Sequence, residues 1–189
     1  MIVTPTALPG VSTIDLAPKG DARGFFARVF CAEGFAQAGL SERIVQVNTS
    51  VTARRHTLRG LHYQLGDAAE DKTIKVLRGA ILDIVLDLRA GPTFGRWITV
   101  RLDDRERRML HVPKGCAHGF LTLGDDVEML YLVSAAYDAC AERTVRWDDP
   151  AFGIVLPARP VVVSDKDRAA PDFDPVWHLG RREVHECGS

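Results

Sequence analysis

The stretch AILDIVLDLR at residues 80–89 indicates the fold more clearly than any other part of the chain. Leucine or isoleucine occupies the even positions 82–88, and a mostly polar set occupies the odd positions 83–89. Because successive side chains of a β-strand point to opposite faces, this period of two predicts a strand with one apolar and one mostly polar face. KTIKVL (72–77) precedes it, and Arg78 and Gly79 between the two predict a tight hairpin.

Further short segments have strand character, with Gly, Pro and Asp residues between them. They are RIVQVNTSVT (43–52), TLRGLHYQ (57–64), RWITVRLDD (96–104), RRMLHVP (107–113), GFLTL (119–123) and VEMLYLVS (127–134). AEGFAQAGL (32–40) predicts one short helix ended by Gly39. VVVSDKD (161–167) indicates a final extended piece, and residues from about 171 to 189 a loosely held tail. We therefore expect one all-β domain over 1–189, an antiparallel jelly-roll barrel with a few short helices.

Composition and charge limit the functional classes. The 24 Lys and Arg residues balance 25 Asp and Glu, which argues against a nucleic-acid-binding protein. The N-terminus lacks the features of a signal peptide, and no apolar run approaches the roughly 18 residues that span a bilayer. Four scattered cysteines predict reduced thiols in a cytoplasmic protein without a membrane partner. Cys116, in a predicted loop, has no basic sequence neighbour and is not expected to be a nucleophile.

The strand TLRGLHYQ places two polar residues of interest on opposite faces. Arg59 and His62 differ by three positions, so a regular strand would point them apart. Both can reach one cavity only if the strand twists or bulges, and Gly60 between them permits a bulge. Two interpretations of the strand therefore remain: Arg59 and His62 contribute to one shared site, or His62 is structural and Arg59 lies on the surface.

PKGCAHGF (113–120) fits the second half of the cupin pattern, P-x-G-x-x-H, in which a glycine turn presents a histidine, here His118, to the barrel interior. The first half of the metal-binding pattern requires H-x-H, and Gln64 stands at its second position. A metal ion would be left with His62, His118 and Glu70, without paired imidazoles, so no metal is expected. Two unrelated core histidines remain the alternative.

A set of motifs, each weak alone, carries a resemblance when taken in order. They are RGFF, QVNTS, LRGLHYQ, the lysine at 72, GPTFG, PKGCAHGF, the tyrosines at 131 and 137, WDDP and SDKD, from about residue 21 to 167. Together they resemble the dTDP-4-dehydrorhamnose 3,5-epimerase family of cupin-type jelly rolls. The resemblance implies an epimerase of deoxysugar biosynthesis that inverts carbons 3 and 5 of a nucleotide-linked 4-keto-6-deoxyhexose, converting dTDP-4-dehydro-6-deoxyglucose to dTDP-4-dehydrorhamnose. It implies no metal and no redox cofactor.

The resemblance also implies roles for four residues. His62 matches the family's base and Asp167 its carboxylate partner, which fixes the tautomer of the imidazole. Tyr131 matches the proton donor, and Lys72 matches the cation near the sugar 4-oxygen, where it stabilises an enolate. Without the resemblance, each of these residues would have an ordinary structural explanation, such as a turn aspartate or a packed strand tyrosine.

Eight further positions are implied to bind substrate. They are Arg59 and His118 as substrate contacts, Gln46, Asn48 and Tyr137 as the lining of the sugar-nucleotide site, and Arg23, Phe26 and Arg28 in the N-terminal motif. In the family, Arg23 and the residues after it reach across an interface to the partner's ligand, which implies a homodimer. Arg28 replaces the glutamate usual in rhamnose-pathway members, at a position near the nucleotide. This charge reversal leaves the identity of the nucleobase of the substrate open.

Three alternatives therefore stay open. One is a mono-epimerase acting at carbon 3 or carbon 5 of a related dTDP-, CDP- or GDP-linked 4-keto sugar, favoured by Arg28. Another is a cupin that binds a sugar or small acid without turnover, which would not need the acid–base set. The third is a metal-dependent cupin oxygenase or isomerase, which the missing H-x-H disfavours.

Overall fold

A computed structural model describes residues 1–180, which form mainly β-strands. The strands are β1 (Ile2–Pro5), β2 (Ser12–Asp15), β3 (Lys19–Asp21), β4 (Gly24–Phe26), β5 (Gln46–Thr52), β6 (Thr57–Gln64), β7 (Lys72–Arg78), β8 (Ala80–Asp87), β9 (Trp97–Asp103), β10 (Met109–Val112), β11 (Cys116–Thr122), β12 (Val127–Val133), β13 (Glu142–Thr144) and β14 (Val162–Val163). The helices are α1 (Ala32–Gln37), α2 (Asp165–Arg168) and α3 (Pro175–Leu179).

Two facing sheets form the barrel. The first has the strand order β1-β2-β10-β7-β12-β5, and the second has the order β13-β6-β11-β8-β9. Their strands pair antiparallel, and only the short β14 adds to β6 in parallel among the described strands. The main core lies between the sheets, where Ile74 and Val76 of β7 pack with Ile81 and Val85 of β8. The predicted all-β antiparallel jelly roll of the cupin type is confirmed.

The chain crosses from one sheet to the other at Arg78 and Gly79. The predicted hairpin between β7 and β8 is wrong, because β7 pairs in the first sheet and β8 in the second. Gly79 has a φ of 85°, and its N–H donates to Asp104 Oδ2 at 2.8 Å. A left-handed glycine therefore forms a corner of the barrel here instead of a hairpin turn.

β8 lies between β11 and β9 and is buried on both faces. Ile84 and Leu86 pack in a cluster on one face, and Val85 enters the core between the sheets on the other. The alternation of apolar and polar residues is present as predicted, yet the polar face is not solvated. Asp83 and Asp87 are both 0% exposed. Because burying a carboxylate without a hydrogen bond is costly, each of them needs a hydrogen-bond partner inside the protein.

β6 carries a bulge at the position that the sequence permitted. His118 of β11 pairs with His62, and Phe120 pairs with Arg59, so β6 has one residue more than β11 between these pairs. Gly60 lies in the extra segment with a φ of 115°. The bulge rotates the strand so that Arg59 and His62 both line one cavity.

Replacing Gly60 by alanine is expected to lower the free energy of unfolding by about 3 kcal/mol or more, the sum of left-handed strain and overpacking. A Cβ there would lie 2.6 Å from Gly119 Cα and 2.8 Å from the His118 carbonyl oxygen. Urea unfolding measures the change. Gly124→Ala is the control, because its Cβ would meet nothing within 4 Å. Equal stabilities of the two variants would contradict this account of the bulge.

The helices are short. α1 confirms the predicted helix, and Gly39 follows it with a φ of 71°. Phe35 of α1 packs on Ile14 and Met109 and so covers the outer side of the first sheet. None of the helices within residues 1–180 is long and apolar enough to cross a membrane.

The C-terminal segment differs most from prediction. Val162 and Val163 are extended, but Asp167 lies in α2, whose N-cap Ser164 accepts a hydrogen bond from the Asp167 N–H at 3.1 Å. Residues 171–180 do not form a loose tail, because α3 packs on the barrel with His178 fully buried. The Tyr63 hydroxyl of β6 donates to the His178 carbonyl oxygen at 2.7 Å. The rest of the predicted tail lies outside the described residues.

Candidate functional site

A cavity of about 520 Å³ opens between the two sheets. Nine of the twelve site residues named from the sequence line it: Gln46, Asn48, Arg59, His62, Lys72, His118, Tyr131, Tyr137 and Asp167. They come from both sheets and from the C-terminal segment, and they are spread along the sequence from residue 46 to residue 167. A cavity with several convergent polar groups is the usual form of a small-molecule site.

His62 and Asp167 form a close pair at the cavity wall. His62 Nε2 lies 2.6 Å from Asp167 Oδ1, and the Gly60 N–H donates to Asp167 Oδ2 at 3.1 Å. Burial alone would raise the pKa of Asp167, but the hydrogen bond and charge of His62, with the Gly60 N–H, hold that pKa below its usual value. An ionised Asp167 accepts the Nε2 proton, so Nδ1 carries the lone pair of the neutral ring.

Tyr131 reaches the cavity from the opposite sheet. β12 carries it in the first sheet, whereas β6 carries His62 in the second. Burial raises the pKa of Tyr131 to about 12, although a 3.1 Å hydrogen bond with Ser50 Oγ acts in the other direction. The phenol therefore keeps its proton at neutral pH and remains a hydrogen-bond donor. Ser50 also lines the cavity and was not predicted from the sequence.

Lys72 lies at the start of β7 between two acceptors. Its Nζ donates to the His62 carbonyl oxygen at 3.2 Å and lies 2.9 Å from Glu70 Oε1. The side chains of Lys72 and Glu70 are 17% and 5% exposed, so the ion pair is largely out of bulk water. The sequence suggested Glu70 only as a possible metal ligand, whereas the structure places it beside Lys72.

His118 has its own carboxylate. Its Nε2 lies 2.5 Å from Oδ1 of Asp83, which is fully buried on β8. Asp83 was not predicted as a site residue from the sequence, although it shares the inward face of β8 with Val85. Arg59 is held by Thr52 Oγ1, which accepts from Arg59 Nε at 3.0 Å. A histidine and an arginine thus stand beside the His62–Asp167 pair.

A polar cluster surrounds Tyr137 at the exposed side of the cavity. The Tyr137 hydroxyl donates to Glu142 Oε2 at 2.9 Å, and Lys166 forms an ion pair with the same carboxylate. Burial would raise the pKa of Glu142, but the hydrogen bonds from Lys166 and Tyr137 outweigh it and lower that pKa. Gln46 Oε1 accepts from the Tyr137 N–H at 3.0 Å. Glu142 and Lys166 were not predicted from the sequence.

Three of the residues named from the sequence do not line this cavity. Arg23 and Phe26 lie on the exposed β3–β4 hairpin, and Arg28 follows it, also exposed. Arg23 pairs with Asp21 at 2.6 Å, and Phe26 is 68% exposed. Within one chain, the structure does not bring this group together with the nine others.

The side chains considered as metal ligands have other partners. His62 is bonded to Asp167, His118 to Asp83, and Glu70 to Lys72. Across residues 1–180, no group of three or more His, Cys, Asp or Glu side chains is arranged to hold a metal ion.

Cys116 lies in β11 and not in a loop, which corrects the sequence interpretation. Burial raises the pKa of its thiol to about 12, although the charge of Arg89 acts in the other direction. A thiol in this state forms little thiolate near neutral pH and is not activated as a nucleophile.

The fold and the site together define a class, a cupin-type barrel whose cavity has an imidazole–carboxylate pair on one wall and a protonated phenol on the other. The family model described as dTDP-4-dehydrorhamnose 3,5-epimerase matches residues 5–175. The chain belongs to this epimerase family, whose members are isomerases.

Known relatives and structures agree with this assignment. The chain is 42% identical over 156 residues to the dTDP-4-dehydrorhamnose 3,5-epimerase of Sinorhizobium fredii, covering 82% of this chain and 80% of that protein. It is similar to the Bacillus anthracis dTDP-4-dehydrorhamnose 3,5-epimerase structure with TDP and PPi bound (TM-score 0.87, 36% identity, 91% and 99% of the two chains). It is also similar to a 3'-monoepimerase from Streptomyces bikiniensis in complex with dTDP-quinovose (TM-score 0.85, 34% identity, 94% and 90%).

Proposed function

We propose that this chain epimerises carbons 3 and 5 of dTDP-4-dehydro-6-deoxyglucose to give dTDP-4-dehydrorhamnose. The observation that carries the proposal is the pair of His62 on the second sheet and Asp167 of α2, with the protonated Tyr131 on the first sheet. Inversion at a carbon next to a ketone needs a base on one face of the sugar ring and an acid on the other. A cavity with these groups on opposing walls meets that requirement.

The base is His62 in this proposal. Nδ1 removes the proton from the carbon next to the ketone, and the imidazolium that forms is stabilised by the ionised Asp167. The electron pair of the broken C–H bond moves into the ring and gives an enolate with its charge on the 4-oxygen. The Lys72 ammonium stabilises that charge, which typically lowers such a barrier by about 3 kcal/mol.

Tyr131 supplies the proton that completes inversion. Because burial raises its pKa to about 12, the phenol is protonated when the enolate forms and transfers its proton to the carbon from the opposite face. The tyrosinate is unfavourable in the buried site and regains a proton from solvent, and the His62 imidazolium releases its proton to solvent, so both groups are reset before the second carbon reacts. The same cycle at the second carbon completes the reaction.

The remaining site residues bind the nucleotide and the sugar in this proposal. Arg59 suits the diphosphate, since its forked donors match paired oxygens, and His118 lines the same cavity. Gln46, Asn48 and Tyr137 line the sugar-nucleotide site.

We further propose a homodimer, in which the exposed hairpin with Arg23, Phe26 and Arg28 contacts the partner's ligand. The 68% exposure of the large apolar Phe26 supports a role of this hairpin in binding a second copy of the chain. The molar mass in solution, from light scattering, tests it: a monomer at enzyme-assay concentration would contradict the shared site. The cytoplasmic location stays a prediction.

A mono-epimerase acting at one of the two carbons is the second candidate. The observation behind it is the similarity to a 3'-monoepimerase in complex with dTDP-quinovose, at a TM-score of 0.85. The TM-score to the Bacillus anthracis dTDP-4-dehydrorhamnose 3,5-epimerase is nearly the same, at 0.87. Fold similarity alone therefore does not separate the two candidates.

The experiment that tests the proposal follows deuterium in the sugar. The protein is incubated with dTDP-4-keto-6-deoxyglucose in deuterated water, and nuclear magnetic resonance monitors carbons 3 and 5. We expect deuterium at both carbons with inverted configuration. Exchange at one carbon only would favour the mono-epimerase. No exchange at either carbon, while the same sugar with a CDP or GDP carrier reacts, would show that the nucleotide is misassigned.

A further inference from the structure

A second cavity, of about 260 Å³, shares Asp167 as a wall with the candidate site. Both carboxylate oxygens of Asp167 already have partners, Oδ1 with His62 and Oδ2 with the Gly60 N–H. The second cavity is formed by the segment after β13, the segment around β14 and the helix α2, and three of its lining residues are arginines: Arg146, Arg159 and Arg168. The proposed reaction uses none of the three.

The carboxylates at the second cavity do not balance these arginines. Asp148 lines it and forms an ion pair with Arg146 at 3.0 Å, and Asp172 approaches the same guanidinium at 2.8 Å. Arg146 is therefore neutralised by its own two partners. The remaining lining carboxylate, Asp167, is bonded to His62. Two guanidinium charges are left without a carboxylate of the cavity.

These two charges belong to Arg159 and Arg168, whose side chains are exposed. Within residues 1–180, neither of them forms an ion pair. Arg168 Nη2 donates to the Val163 carbonyl oxygen at 3.0 Å, which fixes the side chain of Arg168 against β14. A guanidinium has five N–H donors in a planar fork, so most of the donors of Arg168 remain available to a ligand. The same fork matches the paired oxygens of a phosphate group.

The size and the other walls of the second cavity limit what it can hold. Its volume is below the range of about 300–1,000 Å³ that drug-sized ligands occupy, so a small ion fits better than a nucleotide sugar. Its walls also contain apolar side chains, those of Trp147, Pro160, Val161 and Val163. Apolar walls strengthen the electric field of the charges beside them, which favours binding of an ion of opposite sign.

We propose that the second cavity binds a small phosphate-type anion, inorganic phosphate or pyrophosphate, through Arg159 and Arg168. Arg159 precedes β14, and Arg168 directly follows Asp167 in α2. An anion held by both arginines therefore links the two ends of the short segment that carries Asp167. Because the anion binds only the folded arrangement, it should also raise the melting temperature of the protein.

Isothermal titration calorimetry with pyrophosphate tests the inference. Saturating dTDP occupies the candidate site, and sodium chloride keeps the ionic strength constant. We expect the wild type to bind one pyrophosphate per chain. Arg159→Gln should weaken the affinity by about 10–100-fold, the usual effect of losing a hydrogen bond between charged groups. The rise in melting temperature with pyrophosphate should be lost in the same variant.

Arg105→Gln is the matched control, since it removes the same charge from an exposed arginine that lines neither cavity. Its affinity for pyrophosphate should equal that of the wild type. Absence of pyrophosphate binding by the wild type, or equal affinities of the wild type and Arg159→Gln, would overturn the inference. Binding of a second dTDP by the wild type, lost in Arg159→Gln, would overturn the assignment to a free anion. Failure of the wild type to bind any dTDP would instead count against the proposed function.

Discussion

His62→Asn is expected to lower the rate of deuterium incorporation at both sugar carbons by about 10²–10⁴-fold, the usual contribution of a positioned general base. Asparagine keeps a polar group of similar reach but cannot accept a proton from carbon. Since His62 Nε2 is bonded to Asp167 and not to a phosphate-binding group, affinity for dTDP should change little. Calorimetry with dTDP and the exchange assay measure the two effects separately.

Asp167→Asn tests the same pair from the other side. An amide in place of the carboxylate can donate to Nε2 and so favours the wrong tautomer of His62, which should lower the rate by about 10²-fold or more. Asp165→Asn is the control, because this aspartate is exposed in the same helix α2. Full activity of either His62→Asn or Asp167→Asn would contradict the proposal that the His62–Asp167 pair is the catalytic base.

Tyr131→Phe should separate proton removal from inversion. His62 can still take a proton and return a deuteron to the same face, so exchange with retained configuration should continue. The inverted product should fall by about 10²–10⁴-fold, since no positioned acid remains on the opposite wall. Nuclear magnetic resonance distinguishes deuterated substrate from deuterated product in one reaction.

Tyr63→Phe is the matched control for loss of a phenol hydroxyl. Its hydroxyl donates to the His178 carbonyl oxygen, so the variant should lose stability while inversion continues. If Tyr131→Phe produced the inverted sugar at the wild-type rate, a different proton donor would be required, and the two-wall arrangement would not explain inversion.

The strand architecture could be predicted because it depends on local pattern. Alternation in 80–89 indicated β8, and Gly60 indicated the bulge, since a period of two and a glycine inside a strand have local physical causes. The same pattern could not show that β8 is central. Apolar and polar residues alternate in the same way in a half-buried edge strand and in a central strand whose inward carboxylates have partners. Only the neighbouring strands β11 and β9 show that β8 is the central kind.

The errors concern contacts between distant segments. The turn at Arg78 and Gly79 resembles a hairpin locally, and only the sheet to which each flanking strand belongs shows that it is a corner. Residues 171–180 have no clear periodicity, yet Phe173 packs 4.9 Å from Phe152, centroid to centroid, on the barrel surface. Tertiary packing of this kind leaves no repeat in the sequence.

The candidate site was predictable where a motif carried it. Nine residues named from the ordered motifs line one cavity, although no local rule joins His62 to Asp167 across 105 positions. Glu70 beside Lys72 and Asp83 beside His118 were missed as partners because strand register and loop path determine them. Burial of a carboxylate cannot be read from a strand pattern alone.

The pairing of β14 with β6 gives the site a dependence on the order of synthesis. Asp167 reaches His62 from a segment that adds only two residues in parallel to β6 and then forms a four-residue helix. In the chain, this segment follows the strands of both sheets, so the carboxylate partner of His62 is synthesised after them. If His62 and Asp167 act as proposed, catalytic activity would also report whether this C-terminal segment is docked on β6.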